Sequence, residues 1–551
     1  MESIVSCLVV PEKYPRGTLA LSSDPNPAVA LLSCCHSWRA LLISQLCSEF
    51  YFLIEEKNEL VVTSFPRWPK ELRQPGFPAC ALVKEVRFQV VMWKSLMDGS
   101  ALRKLLGSPY SNAVFPTASL LTVSVVDSSA SINCADSLIT TAREYIGEIS
   151  QRIRSMVPAA REARISWPNV YHTGAKQELA NIFSPETSAL YMGLKRISFT
   201  EIGGFDTPGD IPTFGNIGLT HLTIRCKSSK SSFIRLARNC APTLRELIIY
   251  EFPKDGSTLL RGSDGVPAVY SKLEKLYIAQ SIGIQGLSLP QSGSMSHFPA
   301  LRSLDIRCKY PFDDDVLFRG NHESLEHISV PLDMQFMAMS AENDVFQPMK
   351  FTRLHSIDLL NYYGAQEMTP YHIDTIKDFV FKLARAGTPE HLQIVRWSGP
   401  SDETKLLYGI KHNKTLSNMR ILEISKSVFQ FSDVVVILKA MPLLKKLWFS
   451  LDKKVPMLDG VRMPKLLTHL LANYYPLSRS LYSVTFDQGS KASAKQVAVV
   501  AMLLAVVSPT LALTQVDSEM KADYFSGIEA AIVTRPFQKH AERIKPLAKS
   551  L

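Results

Sequence analysis

Between Leu219 and Cys308 one order of apolar and polar positions is written four times. Leu219-Thr-His-Leu222-Thr-Ile224 is followed by Leu244-Arg-Glu-Leu247-Ile-Ile249, Leu273-Glu-Lys-Leu276-Tyr-Ile278 and Leu301-Arg-Ser-Leu304-Asp-Ile306. Each reads L-x-x-L-x-I, and the starts lie 25, 29 and 28 residues apart. The alternation across the second Leu and the Ile has the period of a strand, which puts those two residues on one face and their neighbours on the other.

The unit recurs on both sides. Before it lie Leu194-Lys-Arg-Ile197-Ser-Phe199 and three degenerate copies, Val83 to Phe88, Leu120 to Val125 and Ala160 to Ile165. After it come copies starting at Leu325, Leu354, Leu392, Met419, Leu444 and Leu481, the one from Leu392 to Trp397 being looser. Between copies the pattern predicts helices over Asp136 to Met156, Ser232 to Asn239, Tyr371 to Ala386 and Asp433 to Ala440. A strand returning every 24–29 residues, with a helix or loop behind it, has the spacing of a leucine-rich repeat. The expected fold is therefore α/β: a leucine-rich-repeat solenoid, a horseshoe or arc, with a parallel sheet on its concave face. Residues 191–516 carry the repeats, and 51–190 a linker with degenerate leading copies. An apolar helix over Ser493 to Val507 and a last strand over Leu511 to Val516 follow, and residues 517–551 form a helical cap.

The first 50 residues differ. A loop rich in Pro, Ser and Gly precedes an amphipathic helix over Ala28 to Ser48, with Leu31, Cys34 or Cys35, Trp38 and Leu42 on one side. Leu31-Leu-Ser-Cys34-Cys35-His-Ser-Trp38-Arg39-Ala-Leu41 resembles the second half of an F-box, and Ile4 to Leu8 resembles the end of its first helix. The Leu-Pro opening of that module is absent, and the loop between the helices is longer than usual. Asn239-Cys240-Ala-Pro-Thr-Leu244 is similar to the cysteine-containing repeats found in F-box proteins, where a Cys closes the helix before the next strand. The resemblance is to F-box proteins with leucine-rich repeats, of a type enlarged in fungi. It implies that residues 1–50 dock the Skp-type adaptor of a cullin ubiquitin ligase through Leu8, Leu31, Cys35, Trp38 and Leu41. It also implies that the repeats recruit a protein substrate, with catalysis left to other subunits.

Composition narrows the rest. The nine cysteines are odd in number and include no CxxC pair, which speaks for reduced thiols in a cytoplasmic or nuclear protein. Neither the short apolar stretch Ile4 to Val10 nor the run Val497 to Leu513 suits a secretory leader or a membrane span. No P-loop, H-E-x-x-H or G-x-S-x-G motif is present, so no catalytic residue, metal site or cofactor is assigned and the chain is read as a non-enzyme. His221 and His327 share the third position of their units, with His355 one place earlier in its own, but other residue types intervene and these read as exposed strand positions. The net charge of +10 and pI near 9.0 permit an acidic partner, yet no dense Lys/Arg run accompanies them, so nucleic acid is not the expected one. The third, fifth and seventh positions of each unit should form an exposed strip. There Arg225, Tyr277, Asp305, Arg307, His327, Asp358, Arg396, Glu423 and Trp448 are the candidate partner-binding residues. Mixed charge dotted with aromatics suits a protein ligand. A repeat scaffold without a ligase role and a basic nucleic-acid-associated module remain open as alternatives.

Overall fold

The alternating positions do become parallel strands. The computed structural model describes residues 48–54, 60–61, 81–90, 99–107, 112–125, 136–166, 193–200, 218–225, 231–252, 257–261, 266–281, 296–308, 317–318, 323–331, 351–360, 370–387, 389–395, 416–451, 469, 472–473, 475–486 and 494–516. Two compact units divide the chain, Met1–Leu273 and Glu274–Leu551.

The first unit contains β1 (Glu49–Ile54), β2 (Leu60–Val61), β3 (Glu85–Val90), β4 (Leu120–Val125), β5 (Glu162–Ser166), β6 (Arg196–Thr200), β7 (His221–Arg225) and β8 (Glu246–Phe252). β2 turns back antiparallel on β1. β1 pairs in parallel with β3, and each strand from β3 to β7 pairs in parallel with the next. The register stacks Phe50, Val86, Leu121, Ala163, Ile197, Leu222 and Leu247 in one column, all buried. Burial of each large member contributes about 1.5–3 kcal/mol, so the stack is the main source of cohesion. The leading residue of each unit is buried too, as Leu194, Leu219, Leu244 and Leu273 are. Gly193 and Gly218 stand just before two of these leucines at φ of 75° and 66°, a turn conformation that a side chain would strain.

The second unit runs β9 (Lys275–Ser281), β10 (Ser303–Ile306), β11 (His327–Pro331), β12 (Ser356–Leu360), β13 (His391–Val395), β14 (Ile421–Phe429), β15 (Lys446–Leu451), β16 (Ser483–Phe486) and β17 (Leu513–Val516). Every strand pairs in parallel with the next, and Leu276, Leu304, Ile328, Ile357, Leu392, Leu422, Leu447 and Val484 form the buried column.

Helices lie between strands where their apolar stripes can be covered. They are α1 (Ser100–Gly107), α2 (Asp136–Met156), α3 (Ser231–Asn239) and the single turn α4 (Ser257–Leu260) in the first unit. The second unit has α5 (Pro370–Ala386), α6 (Phe431–Ala440) and α7 (Ala494–Val507). Ile376, Phe379, Val380 and Leu383 of α5 and Val434, Ile437 and Leu438 of α6 are the buried stripes, at spacings of three and four. At the start of α6 the Gln430 N–H donates to Asp433 Oδ2 at 2.8 Å, covering a backbone donor the helix leaves open. The chain is thus an α/β protein with parallel sheets made of repeated units, as a repeat solenoid is.

Three expectations need correction. The strand β1 was not anticipated; it begins at Glu49, across the expected boundary at residue 50, and its Phe50 and Phe52 extend the apolar columns. The leading copy at Leu120 is out of phase, because the buried residues are Ala118, Leu121 and Val123, with a small alanine in the place of the first leucine. The copy at Leu392 is out of phase by three: Leu392 and Ile394 are its buried pair, and the leading position falls to buried Pro389. The F-box-like segment 1–47 and the expected cap 517–551 lie outside the described residues.

Candidate functional site: the polar face of each sheet

Because strand side chains alternate, the residues between the buried columns stand on the opposite face, most of them half-exposed, with Glu85 and Ser329 buried. In the second unit the fifth positions line up across strands as Tyr277, Asp305, Ser329, Asp358, Gln393, Glu423 and Trp448, each in register with the next. The third positions form a parallel row that includes His327, Ser356 and His391. The structure therefore brings together Tyr277, Asp305, His327, Asp358, Glu423 and Trp448. Arg307 joins them at the end of β10, donating from Nε to both carboxylate oxygens of Asp305 at 3.2 Å while its guanidinium lies 5.3 Å from the Tyr277 ring centre. Arg396 does not join them: the phase of β13 gives its place to Gln393, and Arg396 lies outside the described residues.

The centre of this face is Asp358. His327 Nε2 stands 3.6 Å from its Oδ2 and His391 Nδ1 4.0 Å from its Oδ1. Ser356 Oγ lies 3.3 Å from Asp358 Oδ1 and 3.0 Å from His391 Nδ1. One hydroxyl satisfies both contacts if it donates to the carboxylate and accepts from His391 Nδ1–H. That tautomer leaves Nε2 of the neutral ring as an acceptor, and Nε2 is buried without a hydrogen-bond partner among the described residues. Burial pushes the Asp358 carboxyl above its ordinary value, against the pull of the two imidazoles and Ser356. Glu423, two strands away, is raised for the same first reason, with His391 opposing. Trp448, beside Glu423, presents an indole whose Nε1 is buried without a hydrogen-bond partner among the described residues.

The first unit fills the same positions differently. Arg87 on β3 donates from Nε to Glu85 Oε1 at 2.8 Å and reaches Glu49 on β1 at 3.5 Å. Thr122 on β4 donates to the same Glu85 oxygen at 2.7 Å, and the Tyr51 hydroxyl donates to Gln89. Burial lowers the Arg87 pKa, but its bond to Glu85 and the charges of Glu49 and Glu85 outweigh that and leave it raised. Arg164 faces Glu162 at 3.8 Å, and His221 faces Glu246 at 3.6 Å. Arg225, exposed at the end of β7, covers the Tyr250 ring at 4.5 Å.

His391 and Ser356 were missed by the sequence reading. The signal was present: in correct phase, Pro389-Glu-His391-Leu392-Gln-Ile394 puts His391 in the third position beside His327's row. Leu8, Leu31, Cys35, Trp38 and Leu41, the residues expected to meet an adaptor, lie outside the described residues. Cys240 closes α3, is buried, and has its thiol pushed up to about 11 by that burial. Among the described residues no group of three or more His, Cys, Asp and Glu could hold a metal ion, and no helix is long and apolar enough to cross a membrane. Comparison of the sequence with protein-family models gave no match, and comparison with curated proteins gave none.

Proposed function

We propose that the chain is a non-enzymatic interaction protein. It recruits a protein substrate through the polar face of its repeats and docks a Skp-type adaptor of a cullin ubiquitin ligase through residues 1–50. The observation that carries the recruiting role is the unbroken register from Tyr277 to Trp448, which sets one polar or aromatic side chain per strand in a row. Tyr, Trp and Arg at such positions offer most of the affinity of a protein contact, while the acids and histidines between them select by charge. The adaptor role is supported by the F-box-like run from Leu31 to Leu41, whose apolar residues suit a helix groove.

The experiment is affinity capture with the full chain and two variants. Trp38→Ala should lose the adaptor and keep the substrate. Trp448→Ala with Tyr277→Ala should keep the adaptor and lose the substrate. Wild-type chain that captures no adaptor at micromolar concentration overturns the ligase role. Loss of the substrate in the face variant alone would then identify a repeat scaffold.

A further inference from the structure

Beside the polar face of the first unit runs an edge with a different charge. The residue preceding each strand passes its N–H to the carbonyl of the equivalent residue one unit back: Ser119 to Lys84, Arg161 to Ser119, Lys195 to Arg161, Thr220 to Lys195 and Arg245 to Thr220, at 2.7–3.0 Å. This ladder fixes six side chains in a row, four cations and two hydroxyls without an acid. Lys84, Arg161, Lys195 and Arg245 are all exposed. With strands about 4.8 Å apart, the row is about 24 Å long, and its cations fall on the first, third, fourth and sixth steps. Successive members are 25 to 42 residues apart in the chain. No basic run exists in the sequence because the fold, not the sequence order, collects the charge.

Three of the cations are followed by an acid, but each of those carboxylates turns to the polar face. Glu85 is held by Arg87 and Thr122, Glu162 faces Arg164, and Glu246 faces His221. The repeat geometry alone does not produce such a row. In the second unit the same positions mix acids with cations that pair internally, Arg302 with Glu326 at 3.8 Å and Arg420 with Glu390 at 3.3 Å.

We propose that this row binds the phosphate backbone of a nucleic acid. An acidic protein segment is the competing polyanion, but a peptide takes its affinity from buried aromatic or aliphatic anchors. None of the six positions is aromatic or aliphatic. Phosphate recognition needs only cations spaced along a line, with arginine able to engage two phosphate oxygens at once. The net charge of +10 assists encounter with the polyanion. This site is separate from the adaptor and substrate contacts proposed above and depends on neither.

The test is fluorescence anisotropy of labelled oligouridine titrated with the full chain. Four released counterions predict a loss of about 50-fold in affinity between about 50 and 200 mM salt for a single strand. Lys84→Glu, Arg161→Glu, Lys195→Glu and Arg245→Glu combined should abolish binding, whereas Arg302→Glu with Arg420→Glu should leave it unchanged. Circular dichroism checks that the fourfold variant is folded. Should it not be, Arg161→Ala alone is expected to reduce the logarithmic salt slope by about 0.7. Absence of binding by the wild type at low salt, unchanged binding in the fourfold variant or an unchanged slope in Arg161→Ala overturns the proposal. So does tighter binding of oligoglutamate than of oligouridine.

Discussion

The two units place polar groups at equivalent positions and neutralise them with different chemistry. In the first unit the buried acid Glu85 is answered by an arginine and a threonine, and Glu162 by an arginine. In the second, Asp358 is answered by two histidines and a serine. An arginine keeps its charge at every accessible pH, while an imidazole is charged only when protonated. The first face thus answers Glu85 and Glu162 with fixed charge, and the second answers Asp358 with imidazoles and a hydroxyl. Repeat geometry dictates where polar side chains stand, but residue choice decides whether the face responds to its surroundings.

That comparison presumes that fourth and sixth positions are core and that third and fifth belong to the polar face in both units. The largest effect tests this. Leu222→Asp in the first unit and Ile357→Asp in the second each bury an unpaired charge and should cost more than about 4 kcal/mol. Thr223→Asp and Gln393→Ala, each next in sequence to a core position, should stay within about 0.5 kcal/mol. Urea unfolding followed by peptide-resolved amide exchange measures each unit by itself, since two units need not unfold together. Equal losses at Leu222 and Thr223 would destroy the alternation and the comparison with it.

A smaller effect sharpens the difference in ions. Glu85→Ala leaves Arg87 with Glu49 alone and the Thr122 hydroxyl without its carboxylate, and should cost the first unit about 2 kcal/mol. Asp358→Asn should act in the opposite direction at neutral pH. Asp358 and Glu423 keep their protons to higher pH in the folded chain than in the unfolded one. Their contribution is full below the ordinary carboxylate range and is lost as pH rises through the raised folded values. His221 is lowered, by burial first and Arg196 next. Its contribution is full above about 6.5 and is lost as pH falls through the lowered folded value. Acidification from neutrality should therefore protect amides around β12 to β14 and expose those around β6 to β8. Asp358→Asn removes the Asp358 part of the first trend and His221→Gln removes the second. Both groups are partly solvated, so each change should stay under about 1 kcal/mol.

The contrast between faces also explains what could be read without coordinates. Tight copies such as Leu219 to Ile224 announce their strands because a large aliphatic fills each of three buried positions. Helix α2 was readable from Asp136 to Met156 because its apolar stripe is long. Phase failed where a leading position held Ala118 or Pro389, since the pattern then slid to the nearest leucine. That slip of three residues at Leu392 removed His391 and put Arg396 in Gln393's place, and with it hid the centre of the second face. The basic edge was hidden for another reason: its register depends on the lengths of five different connections, which no local pattern encodes.

The finest comparison is between two arginines that cover tyrosines. In the first unit Arg225 lies 4.5 Å from the Tyr250 ring centre. In the second, Arg307 lies 5.3 Å from the Tyr277 ring centre and is shared with Asp305, which binds it through Nε and Nη2. Attraction of a cation to a ring falls with distance, and a guanidinium anchored to a carboxylate gives up part of its field to that partner. A double-mutant cycle of Arg225→Ala and Tyr250→Ala should give a coupling of about 0.5–1 kcal/mol, and one of Arg307→Ala and Tyr277→Ala less. In an Asp305→Asn background the second coupling should rise toward the first, because the ring then faces an arginine no longer neutralised from the side. If Asp305→Asn lowers it instead, the carboxylate serves to hold Arg307 over the ring, and the second face is ordered by its acids rather than tuned by them.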